Sequence, residues 1–241
     1  MIQLKNWDNK TWLSSRDYIR SFNAFLLKKK KLKKTSKILD IGCGRGKIFG
    51  SLSRKLKLLN KPVGIDPVSH KDVDKSIDFR NVDVFKFFKA NKDKFDLIMI
   101  KQTLHFLGKD KQIKLIKICK NKLKKNGVLL ILSLKTTNNE IPCFKLMKQK
   151  LNRGLVKDIK MFIAICRLLK NYKQDQFKFE VSLTKKKYIK MLKQKYISCL
   201  LSLNSNQINE GIKEINISLK KRIIFNDTLE SIQYTRNSNL F

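Results

Sequence analysis

Histidine is nearly missing from this chain, with two residues in 241, His70 and His105. That scarcity excludes a histidine-rich metal centre, and no metal is expected. Cysteine is sparse and unpatterned: the five residues stand at 43, 119, 143, 166 and 199. No pair has the CxxC spacing of a zinc or redox motif, so the thiols read as reduced. The opening MIQLKNWDNKTW has no apolar stretch of the kind a secretory signal carries, and a cytoplasmic location is expected. Long apolar runs are lacking too, since none approaches the ~18 residues that cross a bilayer. No internal repeat is visible.

Acidic residues are few. Nineteen Asp and Glu face 55 Lys and Arg, for a formal charge of +36. Such a field suggests a polyanionic partner, and non-specific association with nucleic acid is expected at low salt. A second reading competes. Lysine outnumbers arginine about five to one, whereas phosphate-gripping sites favour the bidentate fork of arginine. Lysine, asparagine and isoleucine all have AT-rich codons, so an AT-biased genome would give this composition with no such partner.

What is present is a globular chain, 42% hydrophobic and long enough to bury a core without staples. Trp7 to Leu27 has helical spacing through Trp12, Tyr18, Phe22, Phe25 and Leu26. The lysine run 28–34 reads as a solvated connector. Strands and helices then alternate: strand 37–41, glycine turn 42–46, helix 47–59, strand 62–66, strand 79–82, a short helix from Phe85, strand 95–100, helix 109–123, an Asn126-Gly127 turn and strand 128–134. Alternation of this kind predicts a parallel sheet with right-handed crossovers. It stops at about residue 135. Residues 136–176 look helical, with a stripe of Ile159, Phe162, Ile163 and Cys166. Strands are expected at 178–182 and 228–234, and helices from Thr184 to about Leu203 and over 209–221. The expected organisation is an N-terminal helical cap (1–34), a Rossmann-like core (35–135), and a segment (136–241) supplying a helical insertion and edge strands.

The central chemical signal is Ile38-Leu-Asp-Ile-Gly-Cys-Gly-Arg-Gly46. Gly42, Gly44 and Gly46 let backbone approach a ligand closely, and the following helix offers free N–H groups. The spacing is G-x-G-x-G, not the G-x-G-x-x-G that cradles a dinucleotide pyrophosphate. Asp66, at the end of the next strand, can accept from both hydroxyls of a ribose. Asp83, after the third strand, can accept from the exocyclic amine of adenine, with Val84 giving a backbone contact. The plain alternatives are a tight ligand-free turn, a surface acid before Pro67, and a helix N-cap at Asp83.

From Ile38 to Leu134, the pieces ILDIGCGRGKI, GIDP, NVDVFKF, FDLIMIKQTLHFL and LKKNGVLLILS resemble the class I S-adenosylmethionine-dependent methyltransferases, in the small-molecule, type 11/12-like branch. The resemblance implies an α/β, Rossmann-like, doubly wound seven-stranded sheet, mostly parallel with an antiparallel edge hairpin and helical lid insertions. It implies S-adenosylmethionine as cofactor. The methionine end would lie over Gly42, Cys43, Gly44 and Gly46, with Asp40 near its amino group. Asp66 and Pro67 would flank the ribose, and Asp83 and Val84 the adenine. Lys101 and Gln102 would stand at the rim where donor and acceptor meet. Cys43 reads otherwise as a small packed residue.

The expected reaction is in-line displacement of the methyl group onto a small-molecule acceptor. His105 is the candidate base, a packed histidine being the alternative, and His70 receives no role. The tyrosine stripe Tyr188, Met191, Leu192 and Tyr196 would line an acceptor pocket or simply pack on the sheet. An RNA or protein methyltransferase and a non-catalytic cofactor-binding scaffold remain alternatives. A nicotinamide dehydrogenase fits worse, for want of the right glycine spacing and of a Tyr-Lys pair.

Overall fold

The computed structural model describes residues 11–237. Trp7 therefore lies outside the described residues. The described residues open with a 3-10 turn, Trp12–Ser14, and Ser15 then caps α1 (Arg16–Lys29), its hydroxyl accepting from the Tyr18 N–H at 3.2 Å. One continuous helix from Trp7 is thus not what forms: the extended backbone of Ser15 breaks it. The helix also runs past Leu27 into the lysine run.

The alternation expected for the middle of the chain is present. β1 (Ile38–Ile41), α2 (Lys47–Leu56), β2 (Val63–Asp66), β3 (Asp78–Asn81), α3 (Val84–Ala90), β4 (Phe95–Lys101), α4 (Lys109–Asn121) and β5 (Leu123–Leu134) follow in order. The Asn126-Gly127 pair is not a turn between elements. It lies inside β5 at a register irregularity against β4, with Asn126 at φ 59, which is a conformation that asparagine tolerates. Beyond it come α5 (Lys145–Leu169), β6 (Tyr172–Thr184), α6 (Lys185–Lys193), α7 (Ser205–Ser218) and β7 (Arg222–Thr235).

The strands form one seven-stranded sheet in the order β3-β2-β1-β4-β5-β7-β6. β3 to β5 are parallel, and β7 pairs antiparallel with both β5 and β6. This is the doubly wound, Rossmann-like sheet with an antiparallel edge. On one face α1 and α2 bury Tyr18, Phe22, Leu26, Phe49 and Leu52 against Ile38, Leu97, Met99 and Leu130. On the other, α3, α4 and the second half of α5 bury Phe87, Leu115, Ile116 and Ile165 against Leu39, Ile98 and Leu129. Parallel strands covered on both faces need near-continuous apolar runs, and all seven residues Val128–Leu134 except Ser133 are apolar.

Several element boundaries depart from expectation: β7 starts at Arg222 rather than 228, and the helix expected over 136–176 is confined to Lys145–Leu169. β6 starts at Tyr172 rather than 178, because its first half is an exposed edge paired to β7 and carries no apolar alternation. The helix capped by Thr184 stops at Lys193, and a separate 3-10 turn follows at Ser198–Leu200. In α5 the buried face is Met147, Leu151, Leu155, Met161, Phe162, Ile165 and Leu169. Ile163, placed in the stripe by spacing, points outward at 47% exposure. No described helix is long and apolar enough to cross a membrane.

Candidate active site

Parallel strands aim their carboxyl ends at one edge of the sheet, and ligands of such folds bind there. At that edge β1 delivers the chain into Gly42, Gly44 and Gly46, whose φ angles are +73, +55 and +67. All three lie in the left-handed region that side chains disfavour. The turn is anchored by the N–H groups of Gly42 and Cys43, both donating to the Ile65 carbonyl at 2.8 and 3.2 Å. The three glycines serve different ends. A Cβ on Gly42 would overlap the Thr103 side chain and one on Gly46 would overlap Ile77, whereas one on Gly44 would meet nothing within 4 Å. Gly42 and Gly46 make the turn pack; Gly44 borders open space. Gly46 is also the N-cap of α2 and supplies no side chain to it, so the helix begins with donors that face the edge.

Two buried carboxyls flank this turn. Asp40 is 4% exposed in the middle of β1. Burial raises its pKa to about 7, a rise that Lys101 opposes and Asp66 supports. Asp66, at the end of β2, accepts from the Gly44 N–H at 3.0 Å and from the Val68 N–H at 2.9 Å. Lys101, on β4, holds its ammonium 5.5 Å from the Tyr18 ring centre and 5.6 Å from that of Phe22. Gln102 takes φ 52 as β4 ends, its N–H donating to the Leu132 carbonyl at 2.8 Å.

Cys43 packs beneath the turn, beside Gly64, and burial pushes its thiol pKa up. Pro67 is exposed and Val84 is buried. Asp83 caps α3, accepting from the Phe85 and Lys86 N–H groups at 2.8 and 3.3 Å through Oδ1. His105 lies in a 3-10 turn after β4, its ring 4.0 Å from that of Phe106. The residue is exposed, while loss of hydration where the ring meets the protein lowers its pKa to about 4.

Sequence reasoning missed a polar cluster on the α1 side of the same edge. The Trp12 indole N–H donates to Asp227 Oδ2 at 2.7 Å. Asp227 is 1% exposed, and neither its Oδ1 nor the buried hydroxyl of Tyr18 has a hydrogen-bond partner. Burial raises the Asp227 pKa, against the pull of its Trp12 bond and of Lys101. The signal was an acid at an inward position of β7, between Phe225 and Leu229. Its partner, 215 residues away, is invisible to local pattern.

These features suit S-adenosylmethionine. Open backbone at Gly44 admits a ligand, a buried carboxyl at Asp40 can meet an ammonium, and Asp66 can accept from ribose hydroxyls. No curated protein matches the sequence. Solved structures do match in fold. The plantazolicin methyltransferase BpumL, in complex with a monoazolic desmethylPZN analog and SAH, is 16% identical over 96% of this chain and 88% of its own, with TM-score 0.54. A putative methyltransferase from an antibiotic biosynthesis pathway of Anabaena variabilis is 11% identical over 89% of this chain and 96% of its own, with TM-score 0.59. The Haemonchus contortus phospholethanolamine N-methyltransferase 2 is 12% identical over 99% of this chain but 61% of its own, with TM-score 0.53. A sequence model of the family described as "Methyltransferase domain" matches residues 12–162. That span is more than half of the chain, which therefore belongs to the methyltransferase domain family and is a class I S-adenosylmethionine-dependent methyltransferase.

Proposed function

We propose that this enzyme methylates a compact, small-molecule acceptor. The observation that carries the reading is enclosure of the carboxyl edge. Trp12, Tyr18 and Asp227 pack there at 7%, 0% and 1% exposure, with the Trp12 indole bonded to Asp227, and we read this packing as one wall of a closed acceptor site. An acceptor admitted to such a site is of limited size. The 136–241 segment would complete the enclosure, and the cap at 1–34 would form its other wall.

In this reading Gly42, Cys43, Gly44 and Gly46 bed the methionine end of the cofactor, and Asp40 pairs with its amino group. Asp66, with Pro67 beside it, holds the ribose. Val84 and the remaining oxygen of Asp83 face the adenine. The cofactor supplies an electrophilic methyl on a sulfonium. The protein's share is alignment and exclusion of water. Lys101 and Gln102 border the acceptor, and Lys101 carries a charge that steadies both Asp40 and Asp227. His105 is the candidate base for an acceptor that must lose a proton, and its lowered pKa makes it a weak one.

The fold neighbours do not choose the acceptor, since one was crystallised with an azole analog and another with phosphomonomethylethanolamine. A nucleic-acid acceptor is favoured by the +36 charge alone.

The test begins with calorimetric titration of S-adenosylmethionine. Wild type should bind one equivalent. Gly44→Val should abolish binding and cost little stability beyond the strain of a side chain at φ +55, about 1–2 kcal/mol. Gly42→Val should unfold several degrees lower, because it must displace Thr103. Asp66→Ala should weaken binding at least tenfold. Methyl-labelled cofactor, offered with metabolite pools and with RNA in parallel, then decides the acceptor. Label in RNA, with none in metabolites, would overturn the small-molecule reading.

A further inference from the structure

Four residues beyond Asp66, the His70 side chain folds back into the protein at 3% exposure. Its Nε2 stands 3.5 Å from Asp66 Oδ1, yet both ring nitrogens are buried without a hydrogen-bond partner. An imidazole buried with an unpaired N–H bears a desolvation cost that nothing in this state offsets. The ring is not loose. It packs edge-on against Phe79 of β3, with centroids 6.4 Å apart at 77°. Its loop is pinned as well: the Asp74 N–H donates to the Arg45 carbonyl at 2.9 Å, and Arg54 forks onto the Asp74 carboxylate at 2.6 and 3.1 Å.

Asp66 meanwhile spends its oxygens on the Gly44 and Val68 N–H groups. A ribose diol that donates to this carboxylate must share or replace those bonds, and the carboxylate must turn slightly to receive it. A small turn toward His70 would bring Oδ1 within hydrogen-bond reach of Nε2. We propose that His70 is a positioning residue for Asp66, closing onto its carboxylate when a vicinal diol engages the other side. The inference rests on the cofactor-binding reading of Asp66 given above. Carboxylates fixed by a histidine N–H recur where ligand orientation matters, the same pairing that orders ligands around metals. The unpaired nitrogen in the unbound state gains a partner only in the bound one, so part of the binding free energy is stored in this ring.

The experiment uses S-adenosylhomocysteine and its 2′-deoxy and 3′-deoxy analogues as probes, titrated calorimetrically into the full chain. His70→Phe keeps the packing on Phe79 and removes the donor. His70→Gln returns an N–H near the position of Nε2. We expect His70→Phe to weaken S-adenosylhomocysteine about tenfold, which is about 1.4 kcal/mol, and His70→Gln to recover most of the loss. With one of the deoxy analogues the penalty of His70→Phe should vanish, because the hydroxyl that turns Asp66 is gone. Equal affinity of wild type and His70→Phe would overturn the inference and leave the cofactor reading intact. So would a penalty of the same size on all three probes, or no recovery by His70→Gln. A folded wild type that binds none of the probes would instead sink the cofactor reading, and the inference with it.

Discussion

Asp40 is a carboxyl held out of water in the middle of a strand, and that position makes it a proton-linked group. In the unbound protein burial raises its pKa to about 7, so near neutrality it is partly protonated. An ammonium docked beside it favours the carboxylate and lowers that pKa. Cofactor binding between pH 6 and 7 should therefore release a fraction of a proton. Titrations in buffers of different ionisation enthalpy would measure it, and Asp40→Asn should abolish the release. The linkage to stability runs the other way from a paired carboxylate. An unfolded Asp ionises near pH 4 and the folded one near 7, so the unbound fold loses stability as pH rises across that window. Asp40→Asn should raise the melting temperature at pH 8 and change it little at pH 4. The position of Asp40 in the glycine-turn motif was legible, as was Asp66 at the next strand end, because each is set by one strand and the turn after it. His70 and Asp227 were not, since their meaning depends on burial against distant elements.

The hydrogen bond between Trp12 and Asp227 of β7, beside the edge-on contact of Trp12 with Phe225, ties the first described element to the last strand. It joins a neutral donor to a carboxyl whose charged form burial disfavours, while the Trp12 bond and Lys101 favour it. Its two ends respond differently to change. Trp12→Phe leaves a buried carboxyl with no partner on either oxygen and should cost about 1–3 kcal/mol. Asp227→Asn still offers an oxygen to the indole and removes a buried charge, so stability at neutral pH should hold or rise. Thermal melts of both variants would show opposite signs, and two losses of equal size would overturn this account. Element by element, the parallel half of the sheet could be read from the chain because apolar runs and glycine turns mark it. The antiparallel half could not be bounded. Tyr172 to Gln176 are exposed and form a strand because β7 offers them a ladder, not because their side chains alternate. At Asn126 the reading went wrong in the opposite sense, since an Asn-Gly pair serves a bulge as readily as a hairpin.

Across the whole molecule the charge dominates. With 19 acids against 55 basic residues, much of the surface is unneutralised lysine, and polyanions should bind it through counterion release. That binding should fall by orders of magnitude between 50 and 200 mM salt. It should also ignore the cofactor. A fluorescent RNA followed by anisotropy would test both points. Affinity that survived 200 mM salt, or that changed when the cofactor was added, would mark a built nucleic-acid site and reopen the question of the acceptor. The composition announced this field at once, but whether the lysines cluster on one face is a property of the folded surface that no count contains.

The strand order has a consequence for how the chain is made. β7 is inserted between β5 and β6, so β6 leaves the ribosome before the strand it pairs with exists. From Thr184, where β6 ends, to Arg222, where β7 begins, synthesis at about 5–20 residues per second takes seconds. Through that interval β5 shows an unpaired edge and β6 has no neighbour. The Trp12–Asp227 bond is also still unmade, so the first described turn can dock on β7 only after translation has passed the final strand.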